Sequence, residues 1–288
     1  MAVVNTNVNA SIAQNALVKN ERNMNTAMER LSTGQRINGA KDDAAGLAIS
    51  SRMTSQIRGL EAGVRNANDA ISMVNTGDGA LIEVTNMLQR MRELAIQASN
   101  GTTASADRGY LDSEYANLAT EIERIAQNTQ WNGTAILEGT YGSGAEVAFQ
   151  VGANAGQTIT VSFGDISQAG TSEMTQFATG NSGASIAAAT AASALTTASA
   201  AITAIDNAIT LVNTQRATFG AAVNQLTYAV DNLSNVKVNA EAARSRILDT
   251  DYAKETSELA RTQIIQQAGT AMLAQANQLP QTVLALLR

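Results

Sequence analysis

The chain of 288 residues contains no cysteine and no histidine. These absences exclude disulfide bonds, thiolate chemistry, zinc sites of the usual Cys/His type and every mechanism that needs a histidine base. The sequence has one proline, Pro280, so the commonest helix breaker is missing from most of the chain. Aromatic residues make up 3% of the chain, whereas 53 positions are alanine. A fold of this composition must gain its stability from many small, regular contacts.

Charge is also scarce and unevenly placed. Charged residues make up 15% of the chain, the net charge is −6, and no Lys or Arg occurs between Arg124 and Arg216. A long stretch without cations is a poor surface for nucleic acid or anionic lipid. No uninterrupted apolar run approaches the roughly 20 residues of a membrane span. We therefore expect neither a nucleic-acid partner nor a membrane partner.

Two long stretches carry a seven-residue apolar repeat, which predicts long helices packed against partner helices. The first repeat is made by Leu60, Ala67, Val74, Leu81, Leu88 and Ala95. The second has spacings of three and four and includes Leu195, Ala198, Ile202, Ile205, Ile209, Val212, Phe219, Val223, Leu226, Val230 and Leu233. Gly77 and Gly79 interrupt the first repeat and predict a bend or weak point there.

Between these stretches the sequence predicts a third helix over 105–128 and then a change of structure. Apolar residues alternate over 147–151 and 159–163 on either side of a glycine-containing segment, which predicts a β-hairpin. Residues 164–185 are rich in Gly, Ser, Thr and Ala and predict a surface loop. The predicted fold class is mainly α, an elongated coiled-coil bundle of long helices with a small β-hairpin.

Both ends of the chain predict amphipathic helices that pair with one another. The apolar positions at the start are Val4, Val8, Ile12, Leu17, Met24 and Leu31, and those at the end are Leu273, Leu279, Val283 and Leu286. A lone pair of helices has no third layer to cover both apolar stripes. We therefore expect these residues to be covered by neighbouring copies of the same protein.

Nothing in the sequence indicates catalysis. Asp42 and Asp43 form the only tight carboxylate pair ahead of a helix, and they are interpreted as a helix start rather than a catalytic dyad. The segments Gly77-Asp78-Gly79 and Gly142-Ser143-Gly144 are too short for a phosphate-binding loop, and they lack its preceding strand, following helix and lysine. We predict no enzyme activity, no catalytic residue, no metal site and no cofactor.

Several segments of the chain match a known pattern. They are MAVVNTN at 1–7, ERLSTGQRIN at 29–38, KDDAAGLAI at 41–49, NANDAIS at 66–72, the stretch 88–97, TQWNG at 129–133 and the ending 271–288. Together they closely resemble bacterial flagellins over nearly the whole chain, in the right order at both ends.

The resemblance implies a flagellar filament subunit that self-assembles outside the cell and serves motility. The first 20 residues predict no cleavable signal peptide, and composition alone predicts a cytosolic protein. The family instead exports its members through the flagellum's own conduit. Residues 1–44 and 247–288 would form an inner-core domain, and 45–246 an outer rod with a hairpin near 140–165. The short chain implies that outer variable domains are absent.

The resemblance also implies partners and one recognition site. The implied partners are further copies of the chain, the flagellar cap and hook–filament junction proteins, an export chaperone and an innate immune receptor. In many flagellins the surface recognised by the animal flagellin-sensing Toll-like receptor resembles the segment 89–94. The matching residues here are Gln89, Arg90 and Leu94, with Glu114 contributed by the next helix. Arg90 would make a charge-assisted contact while Leu94 fills a shallow receptor pocket.

Two other interpretations remain open from the sequence. A hook–filament junction protein shares the paired ends, and an intracellular coiled-coil scaffold would share the heptads without polymerising ends. The segments 41–49 and 88–97 favour flagellin over the junction protein.

Overall fold

The computed structural model describes residues 7–141, 146–168, 173–178, 184–187 and 191–286, with the backbone alone at 173, 191, 192, 194 and 279–286. The helices are α1 (Val8–Thr33), α2 (Ala44–Ala98), α3 (Ser105–Asn128), α4 (Ala191–Leu248) and α5 (Tyr252–Leu286). The strands are β1 (Gln130–Trp131), β2 (Thr134–Ala135), β3 (Glu146–Gln150) and β4 (Thr158–Ser162), and a short 3-10 helix spans Glu173–Phe177. The predicted mainly α class with a small hairpin is confirmed.

The chain divides into two compact units. One consists of Met1–Ile57 with Val238–Arg288, and the other is Arg58–Lys237. Helices α2 and α4 contribute residues to both units. The predicted division at 44 and 247 lies instead at the start of α2 and near the end of α4.

The start of α2 confirms the interpretation of the two aspartates. Asp43 Oδ1 accepts a hydrogen bond from the backbone N–H of Gly46 at 2.9 Å, as a helix N-cap does. Asp42 Oδ2 accepts the N–H groups of Asn38 and Gly39 at 3.2 and 3.1 Å, which closes the preceding turn. Both carboxylates therefore shape the backbone, and they do not face one another across a cleft.

The core of the second unit lies between α2, α3 and α4. Helices α2 and α4 run antiparallel and are joined by the ion pairs Glu61–Lys237, Asp78–Arg216 and Arg92–Asp206, with N–O distances of 2.8, 2.9 and 2.8 Å. All six residues of the predicted repeat in α2 are buried. The heptad prediction for this helix is confirmed.

Gly77 has a packing function in this core rather than the predicted role of a weak point. Helix α2 continues without interruption through Gly77 and Gly79. A Cβ atom at Gly77 would lie 3.0 Å from Phe219 Cε2 and 3.6 Å from Ile136 Cδ1. The glycine therefore makes room for the Phe219 ring, and the packing offsets its low helix propensity.

The buried seam of α4 is built from smaller residues than the sequence predicted. Ala198, Ile205, Val212, Phe219 and Leu226 are buried as expected. The residues buried between them are Ala201, Ala204, Ala208, Gln215 and Ala222. Their larger neighbours Ile202, Ile209 and Val223 are half-buried at the edge of the seam, and Leu195 is exposed. Alanines let the helices approach closely, so in several turns a small residue such as Ala208 is buried while its larger neighbour lies at the edge.

The β-hairpin is confirmed and lies against α2. Strands β3 and β4 pair antiparallel, with Val147 opposite Val161. The backbone of the hairpin comes so close to α2 that a Cβ atom at Gly63 would lie 2.5 Å from the Val151 carbonyl oxygen. Asn66 Nδ2 also donates to the Gln150 carbonyl oxygen at 2.9 Å.

The prediction of a surface loop over 164–185 is wrong for its described part. Ile166, Met174 and Phe177 are buried in the same core as α2 and α4. The apolar residues of this segment are spaced irregularly among Gly, Ser and Thr, so no helix or strand period marks them as core residues.

Among the described residues, α4 is the one helix that is long and apolar enough to cross a membrane by length and composition alone. Its most apolar 18-residue window, within Leu195–Leu248, has a mean hydropathy of 1.3, and a third of that window is buried. Alanine raises the mean hydropathy without forming an uninterrupted apolar run. Core helices of soluble proteins meet the same criteria, and the buried Ile205, Val212 and Phe219 place α4 in a protein core.

Replacing Ala222 by Leu tests whether the α4 seam requires small residues. Ala222 is buried and the adjacent Ala221 is exposed, which makes Ala221→Leu a matched control. Because extra methyl groups overfill a packed seam, we expect Ala222→Leu to lower the free energy of unfolding by about 1–3 kcal/mol. Thermal unfolding followed by circular dichroism measures the difference. Equal melting temperatures for the two variants would show that the seam is loosely packed.

Candidate assembly and recognition surfaces

Helices α1 and α5 form an antiparallel pair within the first unit. Asn7 Nδ2 donates to the Ala276 carbonyl oxygen at 2.9 Å near one end of the pair. Near the other end, Arg30 and Glu255 form an ion pair at 3.0 Å. The predicted pairing of the two ends of the chain is therefore present over most of the length of α1.

The interior of this helix pair is small and polar. In α5, Glu255, Thr262 and Ala276 are buried at seven-residue spacing, and Gly269 falls in the same series. The buried Asn20 of α1 donates to the Thr262 carbonyl oxygen at 2.8 Å and to Gln266 Oε1 at 3.1 Å. Among the described side chains of α1 and α5, the only buried hydrophobic ones are Ala27 and Ala276.

Many of the large apolar side chains of the pair lie on its outside. The exposed ones are Val8, Ile12, Val18, Met28, Ile264, Ile265 and Met272, with exposed fractions from 42% to 67%. Large exposed apolar areas mark interaction sites on proteins. The exterior of the pair therefore carries the apolar area that a stable helix pair normally buries.

The predicted assembly residues fall into three groups. Val8 and Ile12 are exposed. Leu17, Met24, Leu31 and Leu273 are half-buried. Val4 and the side chains of Leu279, Val283 and Leu286 lie outside the described residues.

Sequence reasoning missed both the exposed Met272 and the polar seam. Met272 lies seven residues after Ile265, so the spacing could have identified it. The buried Asn20, Thr262 and Glu255 gave no such signal, because polar residues interrupt an apolar pattern.

The connections to the long helices are tied to each other beside this pair. The Arg36 N–H donates to the Leu248 carbonyl oxygen at 2.7 Å, and the Thr250 N–H donates to the Gly34 carbonyl oxygen at 3.1 Å. Gly34 ends α1 with a φ of +70°, the left-handed conformation that glycine adopts without strain. Residues 34–36, which follow α1, and residues 248–250, which precede α5, therefore pair through backbone hydrogen bonds.

The structure brings together three of the four predicted recognition residues on the surface of α2 and α3. Arg90 Nε donates to Glu114 Oε1 at 2.9 Å, and its Nη1 donates to Glu93 Oε2 at 3.0 Å. Gln89 is exposed beside them. The hydrogen bond to Glu114, followed by that to Glu93, raises the pKa of Arg90 above its ordinary value. These exposed polar groups can form charge-assisted contacts with a partner.

The predicted role of Leu94 is wrong. Its side chain is 1% exposed and belongs to the core between α2, α3 and α4. Helix α2 contacts α3 as well as α4, so a position one turn after Arg90 is enclosed from two sides. Leu94 therefore cannot fill a receptor pocket while α2 is folded in this way.

The sequence matches the bacterial flagellin N-terminal helical region over residues 4–142 and the bacterial flagellin C-terminal helical region over residues 202–287. It is 45% identical to a flagellin of Halalkalibacterium halodurans over 288 positions, covering 99% of this chain and 100% of that one. The chain belongs to the bacterial flagellin family. As a flagellin it is a structural protein, a subunit of the bacterial flagellar filament, and not an enzyme.

Two further comparisons describe this flagellin. Flagellin A of Vibrio cholerae is 35% identical over 378 aligned positions, covering 99% of each chain. The alignment is longer than the 288 residues here, so this flagellin is a short form. A Vibrio parahaemolyticus protein assigned as a flagellar hook-associated protein has a TM-score of 0.57 at 15% identity, covering 72% of this chain and 100% of that one. At this identity the likeness shows a shared fold alone.

Replacing Asn20 by Ala tests the polar seam of this flagellin. Loss of the amide leaves the Thr262 carbonyl and the Gln266 side chain without their α1 partner, which costs about 1–3 kcal/mol in a buried site. We expect backbone amides of α1 to exchange with deuterium roughly tenfold faster, measured by hydrogen-exchange mass spectrometry. The exposed Asn23→Ala is the control, and equal exchange in the two variants would contradict the role of Asn20.

Proposed function

We propose that the helix pair α1–α5 is the polymerisation element of this flagellin. Residues 1–44 and 247–288 would form the inner-core domain of the filament, and residues 45–246 would form the outer rod with its hairpin. The observation that carries the proposal is the inverted pattern of the pair, with polar residues inside and large apolar residues outside. Neighbouring subunits would cover that exterior.

The magnitudes support this assignment. Full burial of a Val, Ile or Met side chain contributes about 1.5–3 kcal/mol relative to leaving it exposed. Association costs about 4–15 kcal/mol in lost translational and rotational freedom. A single apolar residue does not offset that cost, whereas seven exposed ones on one helix pair do so when several neighbouring subunits cover them.

We also propose the cellular setting and partners that accompany such an element. The subunit would be exported and would assemble outside the cell, beneath a cap protein and above hook–filament junction proteins. An export chaperone would shield the apolar exterior of the terminal helices before export. These assignments follow from the resemblance to flagellins and from the need to cover that exterior.

A hook–filament junction protein is the second candidate, because a flagellar hook-associated protein shares this fold. Junction proteins would pair the same helices but would not extend into long filaments of a single component. Electron microscopy of the purified chain after seeding distinguishes them, since long homopolymers support a filament subunit. An intracellular scaffold would form no filament in this experiment, with or without seeds.

Replacing Ile264 by Ser tests the proposed polymerisation element. Ile264 is the most exposed large apolar residue among the described side chains of α5, and Gln263 beside it is exposed and polar. Because burial of the isoleucine contributes about 1.5–3 kcal/mol, we expect Ile264→Ser to raise the critical concentration for seeded polymerisation roughly tenfold or more. Sedimentation of polymer measures the critical concentration, with Gln263→Ser as the matched control.

The result is interpretable only if both variants keep the helical content of the unmodified chain by circular dichroism. An Ile264→Ser variant that polymerises at the unmodified critical concentration would contradict the assignment.

We further propose that the surface formed by Gln89, Arg90 and Glu114 is recognised by the animal flagellin-sensing Toll-like receptor. The ion pair between Arg90 and Glu114 orients the guanidinium and leaves both groups about half exposed, so they remain available to a partner. Leu94 supports this surface from the core of α2 and does not enter the interface.

Replacing Arg90 by Ala tests receptor recognition. We expect the concentration of unassembled protein needed for half-maximal receptor signalling to rise at least about tenfold, because a charge-assisted contact is lost. Arg124→Ala is the control, since Arg124 is also an exposed arginine in an ion pair, with Glu121 on the same helix. Unchanged signalling by Arg90→Ala in a receptor reporter cell line would rule out this surface.

A further inference from the structure

The methionines of the chain differ sharply in exposure. Met73, Met91 and Met174 are fully buried in the core of the second unit. Met28 on α1 is 50% exposed and Met272 on α5 is 65% exposed. Among the described residues, both exposed methionines therefore lie on the terminal helix pair.

Met272 occupies a definite place on the exterior of that pair. It follows Ile265 by seven residues, so the two side chains lie on the same stripe of α5. Gly269, three residues earlier, faces α1 so closely that a Cβ atom there would lie 2.6 Å from Leu17 Cδ2. Met272 thus lies beside the seam, on the apolar surface that the polymerisation proposal assigns to neighbouring subunits.

We propose that Met272, with Met28 as a second site, is an oxidation site through which peroxide-class oxidants prevent the unassembled chain from polymerising. The inference rests on the proposed polymerisation through α1 and α5. The thioether sulfur attacks one peroxide oxygen, an S–O bond forms and the O–O bond breaks. The sulfur loses two electrons, the other peroxide oxygen leaves and becomes water after proton transfer, and the product is methionine sulfoxide.

The change matters because of where the sulfur lies. A thioether is apolar and flexible and suits an interface that must fit several neighbours. A sulfoxide is polar, and an interface that covers it without a hydrogen-bond donor is weakened. Oxidation before assembly would therefore exclude the subunit from the polymer.

Assembly would in turn protect the same sulfur atoms. Once neighbouring subunits cover the terminal pair, peroxide no longer reaches Met272. The modification would therefore act on newly released subunits and leave existing filaments intact. Reduction of the sulfoxide by a methionine sulfoxide reductase would return the subunit to the assembling pool.

The first experiment measures oxidation rates in the full-length chain. Unassembled protein and seeded polymer are treated with dilute hydrogen peroxide, and each methionine is followed by peptide mass spectrometry. We expect Met272 and Met28 to oxidise at least roughly tenfold faster than the buried Met91 and Met174 in the unassembled chain. In polymer, the rate at Met272 should fall by about the same factor.

The second experiment measures the effect on assembly. Oxidised unassembled protein should show a critical concentration raised at least roughly tenfold, and treatment with a methionine sulfoxide reductase should restore it. The double variant M28L/M272L keeps apolar side chains of similar size that peroxide does not oxidise. Its polymerisation should be unchanged by the same treatment.

Three results would overturn the inference. Met272 could oxidise no faster than Met91, the oxidised chain could polymerise normally, or the double variant could lose polymerisation to the same extent. The polymerisation proposal is judged separately by Ile264→Ser. If Ile264→Ser impairs assembly while oxidised protein assembles normally, only the oxidation inference fails.

Discussion

The hydrogen-bonded seam between α1 and α5 is the constraint on which the arrangement of the terminal helices depends. Asn20 lies across from Thr262, and Arg30 lies across from Glu255, so polar side chains occupy places where a helix pair usually holds leucine. Buried polar groups need partners in fixed positions, and this requirement sets the register of the two helices. Among the described residues of the two helices, no large apolar side chain is fully buried.

The second unit has the opposite pattern of burial, with large apolar side chains inside. Its seam between α2 and α4 encloses Leu81, Leu88 and Phe219, together with alanines and Gly77 that bring the helices close. The hairpin and the segment around Met174 cover the remaining apolar surface. This unit buries many large side chains, whereas the described residues of the terminal pair bury no large apolar one. If the terminal pair polymerises as proposed, stability and assembly are divided between different parts of one chain.

The sequence was sufficient to predict the elements that have a regular apolar period and clear signals at their ends. The seven-residue repeat of α2, the capping aspartates and the alternating strands of the hairpin each carry a local signal that tertiary contacts reinforce. Correct prediction of α4 as a helix did not extend to its seam, because the smaller residue of each pair, such as Ala208 beside Ile209, takes the central place. Hydrophobicity alone would place Ile209, and not Ala208, at the centre of the seam.

Other features depended on contacts that no local pattern carries. The burial of Leu94 follows from α2 being flanked by two helices, which a repeat along one helix does not reveal. The polar seam at Asn20 and Thr262 requires knowledge of which residues face each other across 242 positions of sequence. By contrast, the approach of Arg90 and Glu114 was anticipated through resemblance to relatives and not through the spacing of the residues.

The paired connections at Gly34–Arg36 and Leu248–Thr250 have a mechanical consequence. Because each connection donates a hydrogen bond to the other, a pull on one terminal helix is transmitted to both connections at once. The two bonds lie across the direction of the chain, so they resist such a load together in shear instead of opening one after the other. In a filament subunit under torque, such a joint would share the load between two backbones, where a single link would act as a swivel.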